Sequence, residues 1–317
     1  MYPDFSYILH DLFGTSTDNW SSLIKTFGLL LAFAFLTSAY FLYLELLRKK
    51  DLFITRPMRD DAGNLVDAYP HQRVGDITII AAISGILGAK VLAIFESADT
   101  LNSFLANPIH GLFSGSGLAI YGGLIGGFIG VYFFITKYLK MNPLYMMDAV
   151  APALMFGYAV GRIGCQLSGD GDWGINNPMP APSMIPQWLW AWDYPRNVMN
   201  AGVVMPEFTG LYRHRLPIGV FPTPIYETVL ATLIGIFLWK IRKKVDYLPG
   251  MLFMIYAILN GVERFWIEKI RVNDKIDAFG LRFTQAEMIA VMCIVGGLIG
   301  AFVIWSRARK QPIEETE

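Results

Sequence analysis

Four groups of polar residues lie at or near the ends of otherwise apolar stretches, where ionisable side chains are costly and usually face a cavity or a partner. In the first group, Arg162 has no acidic residue three or four positions away on its own helix, and it lies close to Gly161 and Gly164. Glycines leave room for a ligand or another backbone. Because a guanidinium fork matches the geometry of a phosphate group, we expect Arg162 to bind a phosphate. The alternative is an arginine that only anchors its helix at the membrane interface.

A second group of charged residues shares one predicted helix face. Arg264, Glu268 and Arg271 follow the spacing i, i+4 and i+7, which places them on the same side of a helix. One explanation is an Arg–Glu pair that lets both charges tolerate the membrane, and the other is that these residues bind a substrate. The sequence leaves both explanations open.

The third and fourth groups begin apolar stretches. Tyr226 and Glu227 begin one of them, and Tyr121 begins another, in which Gly122 and Gly123 follow directly. The glycines continue as a GxxxG repeat, which close packing against another helix explains without a ligand.

Asp148 lies inside another apolar stretch, four residues before Pro152, which we expect to kink the helix. A buried carboxylate needs a partner, and we expect Asp148 to be structural rather than catalytic. The histidines form no HxxxH or HExxH spacing and there are two cysteines, so the sequence predicts neither a metal site nor a cofactor.

The stretches that hold these residues have the composition of membrane spans. Of the 317 residues, 54% are hydrophobic and 16% are charged, whereas soluble domains have about 25% charged residues. The net charge is zero, so no nucleic-acid partner is expected. A span needs about 20 residues at ~1.5 Å of rise each, and we predict an all-α polytopic membrane protein with seven transmembrane helices. The predicted spans cover 22–47, 75–95, 117–136, 144–167, 223–239, 250–270 and 284–305.

The positions of Lys and Arg set the orientation of these helices, because cytoplasmic loops carry the excess of basic residues. Most of the 26 basic residues lie in one set of connections and in the C-terminal tail. They are Arg48, Lys49, Lys50, Arg56, Arg59, Arg73, Lys137, Lys140, Lys240, Arg242, Lys243, Lys244, Arg307, Arg309 and Lys310. Seven spans then place the N-terminus outside and the C-terminus in the cytoplasm. All four polar groups fall in the outer half of the membrane, which predicts one polar site there.

The longest external connection, 168–222, is irregular, lies between the fourth and fifth spans, and is too polar and proline-rich to cross the membrane. It holds Trp173, Trp188, Trp190 and Trp192, a residue type favoured at membrane interfaces. It is either a loop at the interface or a lid over the site, since long loops are often functional. We expect a single integral membrane domain, 1–317, that includes this segment. The N-terminus lacks the basic start of a signal peptide, and we expect it to be retained.

Five motifs together carry a family resemblance. The segment 161–174, GRIGCQLSGDGDWG, resembles the hallmark segment of prolipoprotein diacylglyceryl transferases, G-R-x-G-N-F followed by N-x-E and a glycine. Residues 121–126 resemble the family's H-G-G-L-I-G, and 148–152 resemble its D-x-x-A-P. Residues 224–227 resemble Q-L-Y-E, and 264–271 resemble R-F-x-x-E-x-x-R. The order, the spacing and the seven-span plan agree over nearly the whole chain.

Several positions depart from the family's usual residues. Tyr121 stands in place of a histidine, Cys165 and Ser168 in place of asparagines, Asp170 in place of a glutamate, and Phe27 and Asn260 in place of tyrosines. A histidine base is therefore not expected in this chain.

The resemblance implies a lipid-transfer reaction in the bacterial cytoplasmic (inner) membrane. The diacylglyceryl group of phosphatidylglycerol passes to the thiol of the lipobox cysteine in a prolipoprotein signal peptide, a thioether forms, and glycerol phosphate leaves. The protein must hold the phosphate, stabilise the charge on the leaving group, and take a proton from a thiol whose pKa is about 8.5.

The resemblance also implies roles for individual residues. Arg162 and Arg264 suit the phosphate and the leaving group, and Tyr121 is the first candidate for the base, with Glu227 and Glu268 as alternatives. The positions implied to bind substrate are Arg162, Gly122, Gly123, Asp170, Gly174, Tyr226, Glu227, Glu268 and Arg271.

Other functions fit part of the sequence. Buried arginines and glutamates also line the path of a transporter or channel for an anionic substrate. Against this alternative, the polar residues gather towards one side of the membrane and the sequence shows no inverted repeat. Another membrane enzyme that uses the same head group, or a lipid-binding scaffold, also remains open.

Overall fold

A computed structural model gives the architecture of the chain. It describes residues 1–50, 58–59, 65–66, 69–95, 98–107, 119–208, 210–273, 275–278 and 281–310. Arg56, one of the basic residues that set the predicted orientation, lies outside these ranges.

Most of the described chain is helical. In chain order the α-helices are α1 Phe5–Phe13, α2 Thr26–Arg48, α3 Val74–Phe95, α4 Ala98–Ala106, α5 Ile120–Phe133, α6 Pro143–Ser168, α7 Gln187–Trp190, α8 Thr223–Ile241, α9 Met251–Glu268 and α10 Gln285–Lys310. Short 3-10 segments occur at Trp20–Leu23, Pro70–Arg73 and Arg242–Lys244, and a π-helical turn, Phe134–Tyr138, continues α5.

Within the described residues, five segments are long and apolar enough to cross a membrane, which confirms a helical polytopic membrane protein. They are Thr26–Arg48, Pro70–Phe95, Pro143–Ser168, Thr223–Lys244 and Gln285–Arg309. The two other predicted spans correspond to α5, which has 14 residues, and α9, which has 18. The first residues of the predicted span 117–136 lie outside the described ranges. In α9, Glu263, Arg264 and Glu268 interrupt the apolar surface.

The described strands are short and pair in antiparallel ladders. They are β1 Met58–Arg59, β2 Leu65–Val66, β3 Val203–Val204, β4 His214–Arg215, β5 Lys275–Ala278 and β6 Leu281–Thr284. Val203 pairs with Arg215 in the β3–β4 ladder, and Lys275 pairs with Thr284 in the β5–β6 ladder. The segment 168–222 contains α7, β3 and β4 and is otherwise irregular.

The chain forms two compact units, 42–149 and 1–41 together with 150–317. In the unit 42–149, α3 and α5 pack closely through glycines. A Cβ atom on Gly122 would lie 2.3 Å from the carbonyl oxygen of Gly88, and one on Gly126 would lie 2.4 Å from that of Ser84. A larger residue would force the two backbones apart, so close helix packing accounts for the repeated glycines.

The other unit has its core between α6, α8 and α9. Small residues of α6 let the two later helices approach it closely. The buried core residues are Ala151, Met155, Ala159, Ala231, Leu238 and Leu252. On the opposite side of α6, Ser38 of α2 donates a hydrogen bond to the carbonyl of Ala153 (3.1 Å). This packing fixes the ends of α6, α8 and α9 that carry the polar residues.

A cluster of three arginines around one buried glutamate

Glu227 is the centre of the polar site. It lies in the first turns of α8, where Pro224 favours the start of a helix, and it is fully buried. Its Oε1 atom accepts a hydrogen bond from Arg264 Nη1 (3.2 Å) and another from the Tyr158 hydroxyl (3.0 Å). The same oxygen lies 3.1 Å from Arg162 Nη2 and 3.5 Å from Arg271 Nη1. One carboxylate oxygen therefore meets three guanidinium groups.

Asp172 closes the cluster on its more exposed side. Its carboxylate pairs with Arg162 through one oxygen and with Arg271 through the other. The backbone of Asp172 is held by Thr223, whose hydroxyl donates to the Asp172 carbonyl (2.6 Å). Burial by itself raises the pKa of Asp172, but the neighbouring Arg162 and Arg271 outweigh burial, and the net pKa lies below the usual value. Asp172 is thus ionised at neutral pH.

Asp170 lies beside this pair in a different electrostatic environment. Its Oδ1 accepts a hydrogen bond from the backbone N–H of Asp172 (3.2 Å). Burial, and then the nearby Asp172 carboxylate, raise the pKa of Asp170. Cys165, Asp170 and Asp172 each bring one possible ligand atom within 4.8 Å of the others. Arg162 and Arg271 already neutralise Asp172. Cys165, Asp170 and Asp172 therefore belong to the arginine cluster.

Arg264 forms the predicted pair along its own helix. Its Nη2 atom lies 3.1 Å from Glu268 Oε2, so the i, i+4 spacing does bring the two charges together. Glu268 also accepts a hydrogen bond from the Asn273 amide. With 26% of its side chain exposed, Arg264 is the most accessible of the three arginines.

The prediction that Arg271 continues this helix face is wrong. Helix α9 ends at Glu268, and Arg271 lies in extended backbone that forms a bridge with Gly174. The backbone N–H of Ile175 donates to the Ile270 carbonyl (2.8 Å) beside this bridge. Arg271 reaches the cluster because these two loops pair, and its side chain is 8% exposed.

Gly174 is required by this close approach of two backbones. A Cβ atom there would lie 2.5 Å from the Ile270 carbonyl oxygen and 2.9 Å from the Cβ of Phe221. The backbone N–H of Gly174 also donates to the Phe221 carbonyl (2.8 Å). Gly174 therefore sets the spacing between the segments that follow α6 and α9.

Tyr226 faces an apolar groove next to the cluster. Its hydroxyl donates to the Leu189 carbonyl (2.6 Å), which attaches the start of α8 to the segment 168–222. The groove has a volume of about 270 Å³ and is lined by Ile185, Leu189, Trp190, Phe221, Tyr226 and Ile270.

The remaining predicted residues belong to the unit 42–149. Tyr121 is half-buried near the start of α5, Gly122 is buried against α3, and Gly123 follows it. Asp148 is buried in α6. The structure thus brings together Arg162, Asp170, Glu227, Arg264, Glu268 and Arg271 in one unit.

Three functional candidates are absent from the sequence-based set. Tyr158 lies one helical turn before Arg162, and its ring centre is 5.1 Å from the guanidinium carbon. That i, i+4 spacing was a usable signal. Asp172 comes from a loop, so no periodicity points to it. Glu263 directly precedes Arg264, outside the i, i+4 pairing of Arg264 with Glu268; it is 5% exposed and neither carboxyl oxygen has a hydrogen-bond partner among the described residues.

The chain is similar to known proteins over most of its length. A family model described as prolipoprotein diacylglyceryl transferase matches residues 20–305. A phosphatidylglycerol–prolipoprotein diacylglyceryl transferase of Leptospira interrogans is 23% identical, over 90% of this chain and 91% of its own length. One of Clostridium perfringens, numbered 2, is 29% identical over 78% of this chain and 85% of its own. One of Dehalococcoides mccartyi is 31% identical over 74% of this chain and 76% of its own.

Proposed function

This chain belongs to the prolipoprotein diacylglyceryl transferase family, and on that premise we propose that the arginine cluster is its active site. The protein transfers the diacylglyceryl group of phosphatidylglycerol to the thiol of the lipobox cysteine in a prolipoprotein, which is the first step of lipoprotein maturation. The observation that carries this function is the family match over residues 20–305.

The reaction breaks a carbon–oxygen bond and forms a carbon–sulfur bond. The sulfur of the acceptor attacks the glyceryl carbon next to the phosphate, and the bonding electron pair leaves with the phosphate oxygen. The thiol loses its proton, and glycerol phosphate gains a second negative charge unless it is protonated. The active site must therefore bind a phosphodiester with one charge and stabilise a leaving group with more charge.

Arg162 and Arg264 are proposed to hold the phosphate. Arg162 Nε, Arg271 Nε and Arg271 Nη1 are buried and make no hydrogen bond to the described residues, so donors remain for an anion. Arg264 is the most exposed of the three arginines, so an incoming phosphate can reach it. Glu227 and Asp172 hold the guanidinium groups in fixed positions before the substrate arrives. At oxyanion sites, one such preorganised donor is worth about 3–4 kcal/mol in the transition state.

Tyr121 is proposed to take the proton from the acceptor thiol, with Glu227 and Glu268 as alternatives. The Oε1 of Glu227 is already engaged by Tyr158 and the arginines, which favours a holding role for this residue. Asp148 is proposed to be structural. The proposed substrate-binding positions are Arg162, Gly122, Gly123, Asp170, Gly174, Tyr226, Glu227, Glu268 and Arg271.

The topology is also a proposal. One integral membrane domain, 1–317, has seven spans, an external N-terminus and a cytoplasmic C-terminus, and it lies in the bacterial inner membrane. The segment 168–222 is external, and its Asp172 and Gly174 contact Arg162 and Arg271 of the cluster. The supporting observations are the basic residues concentrated in alternate connections and in the C-terminal tail, and the apolar composition of five described helical segments.

A transfer assay tests the function. Membranes that contain the protein are incubated with a lipobox peptide and phosphatidylglycerol labelled in its acyl chains. We expect a peptide with the mass of one added diacylglyceryl group, a thioether at the cysteine, and an equal amount of glycerol phosphate. A peptide whose cysteine is replaced by serine is the control. Unmodified peptide with the wild-type protein contradicts the proposal.

A further inference from the structure

Glu263 differs from the other carboxylates of the cluster. It lies on α9 directly before Arg264, and 5% of the residue is exposed. Asp172, Glu227 and Glu268 each contact at least one guanidinium group within 4 Å. Neither oxygen of Glu263 has a hydrogen-bond partner among the residues that the structure describes, and no ion pair within those residues includes it. A buried polar group without a partner requires an explanation.

The charges of the cluster indicate the protonation state of Glu263 before substrate binds. Three guanidinium groups, those of Arg162, Arg264 and Arg271, face three carboxylates that contact them. The contacting groups therefore balance without Glu263. An ionised carboxylate that is buried without a partner is very costly, whereas its neutral acid is much less so. The neutral acid is the resting form that fits this balance.

The groups around Glu263 come from several elements. Glu227 of α8, Arg162 of α6, Arg264 of its own helix and Arg271 lie within electrostatic range. Tyr158 of α6 and Tyr256 of α9 also interact with it. Glu263 is thus within electrostatic range of the same charged centre as the arginines.

We propose that Glu263 is the general acid of the transfer reaction. It holds a proton in the resting enzyme and gives that proton to the phosphate oxygen as the carbon–oxygen bond breaks. The proton of the acceptor thiol passes to the enzyme's base and restores Glu263 before the next turnover. Each cycle therefore moves one proton from sulfur to phosphate, forms one C–S bond and breaks one C–O bond.

A neutral acid at this position solves a charge problem. The phosphodiester brings one negative charge into a cluster whose contacting groups already balance, and bond breaking adds a second. The second pKa of a phosphate monoester is about 6 in water, and surplus negative charge favours the protonated monoanion. The proton on Glu263 limits the charge that the three arginines must stabilise. This inference rests on the proposed function.

The test compares Glu263→Gln with Glu287→Gln in the full-length protein. Glutamine keeps the size of the side chain and can donate a hydrogen bond, but it cannot release a proton. Glu287 is a matched control, because it is also buried in a helix but pairs with Lys269 (2.6 Å). We expect Glu263→Gln to lower kcat about 100-fold with little change in the KM for phosphatidylglycerol, and Glu287→Gln to keep wild-type kcat. The kcat of the wild-type protein should fall at alkaline pH. The pH profile of Glu263→Gln should lack this alkaline limb.

Infrared spectroscopy detects the proton on Glu263 without measuring transferase activity. The carbonyl stretch of a neutral carboxylic acid should weaken in Glu263→Gln and be unchanged in Glu287→Gln. An unchanged band in Glu263→Gln overturns the proposal, as does wild-type kcat in that variant. A raised KM with unchanged kcat also overturns it, because Glu263 would then be a phosphate ligand. If the wild-type protein modifies no peptide, the proposed function fails and the acid role falls with it, even if the band changes as expected.

A conservative variant separates chemistry from packing. Glu263→Asp keeps the acid but shortens the side chain by one methylene. We expect it to recover part of the turnover, about 10-fold above Glu263→Gln, and to retain an alkaline limb. An aspartate variant no more active than the glutamine variant, with both present in the membrane at wild-type level, overturns the acid role.

Discussion

The guanidinium of Arg162 and the carboxylate of Glu227 lie 3.1 Å apart, measured from Nη2 to Oε1, although they belong to different helices. Arg264 and Arg271 contact the same oxygen. This shared acceptor fixes the three cations before any anion arrives. Preorganised donors of this kind need little rearrangement when charge develops in a transition state.

Arg162→Lys should reduce transferase turnover at least 100-fold. The lysine keeps the charge, but one ammonium group cannot contact Asp172 and Glu227 and also present a fork to a phosphate. Arg162→Ala should abolish turnover at a normal level of protein in the membrane. Both are measured with the lipobox peptide assay. Full activity of the lysine variant would reduce Arg162 to an interface anchor.

Glu227→Gln should destabilise the protein by about 3 kcal/mol, because it leaves three neighbouring cations without their shared carboxylate. The measurement is thermal unfolding of the purified protein in detergent. Asp11→Asn serves as the control, because it removes the carboxylate that pairs with Arg196 and the Asp11 side chain is 33% exposed. We expect this variant to lose less than about 1 kcal/mol of stability. Equal losses in the two variants would contradict a central role for Glu227.

Tyr158→Phe and Tyr158→Leu separate the two contacts of this side chain. The phenylalanine variant loses the hydroxyl bond to Glu227 but keeps a ring over Arg162, and we expect a loss of about 1 kcal/mol, or roughly fivefold, in kcat/KM. The leucine variant loses both contacts and should lose a further fivefold. Steady-state kinetics measures both. Identical kinetics in the two variants would show that the ring does not position Arg162.

Tyr121→Phe should impair thioether formation more than lipid binding. The hydroxyl is the group that we propose takes the thiol proton, whereas the ring is retained. Single-turnover transfer and equilibrium binding of phosphatidylglycerol are measured on the same preparation. Wild-type turnover in the Phe variant would remove Tyr121 from the mechanism and leave Glu227 and Glu268 as candidates.

Cysteine labelling tests the topology. In a variant with Cys165 and Cys293 replaced by alanine, a membrane-impermeant reagent added outside should label a cysteine at Asp193 and not one at Lys244. After permeabilisation both should react. The reverse pattern would place the polar site on the cytoplasmic side.

The sequence predicts those parts of the fold and site that depend on local periodicity. Apolar length identifies the five long helices, and the i, i+4 spacing identifies the Arg264–Glu268 pair. Where chain segments meet through tertiary contacts, periodicity gives no information. Arg271 lies beyond the end of its helix, and Asp172 enters the cluster from a loop. Both positions depend on the pairing of two loops.

Gly174 illustrates how a residue without a reactive group controls this chemistry from a distance. Any side chain at this position pushes on the carbonyl of Ile270, which immediately precedes Arg271. A mutational scan scored by activity alone would therefore assign Gly174 to catalysis. The defect would instead be structural, since one added methyl group would displace the backbone that carries the Arg271 guanidinium. Transferase activity therefore depends on the gap between these two loops as well as on the charges of the cluster.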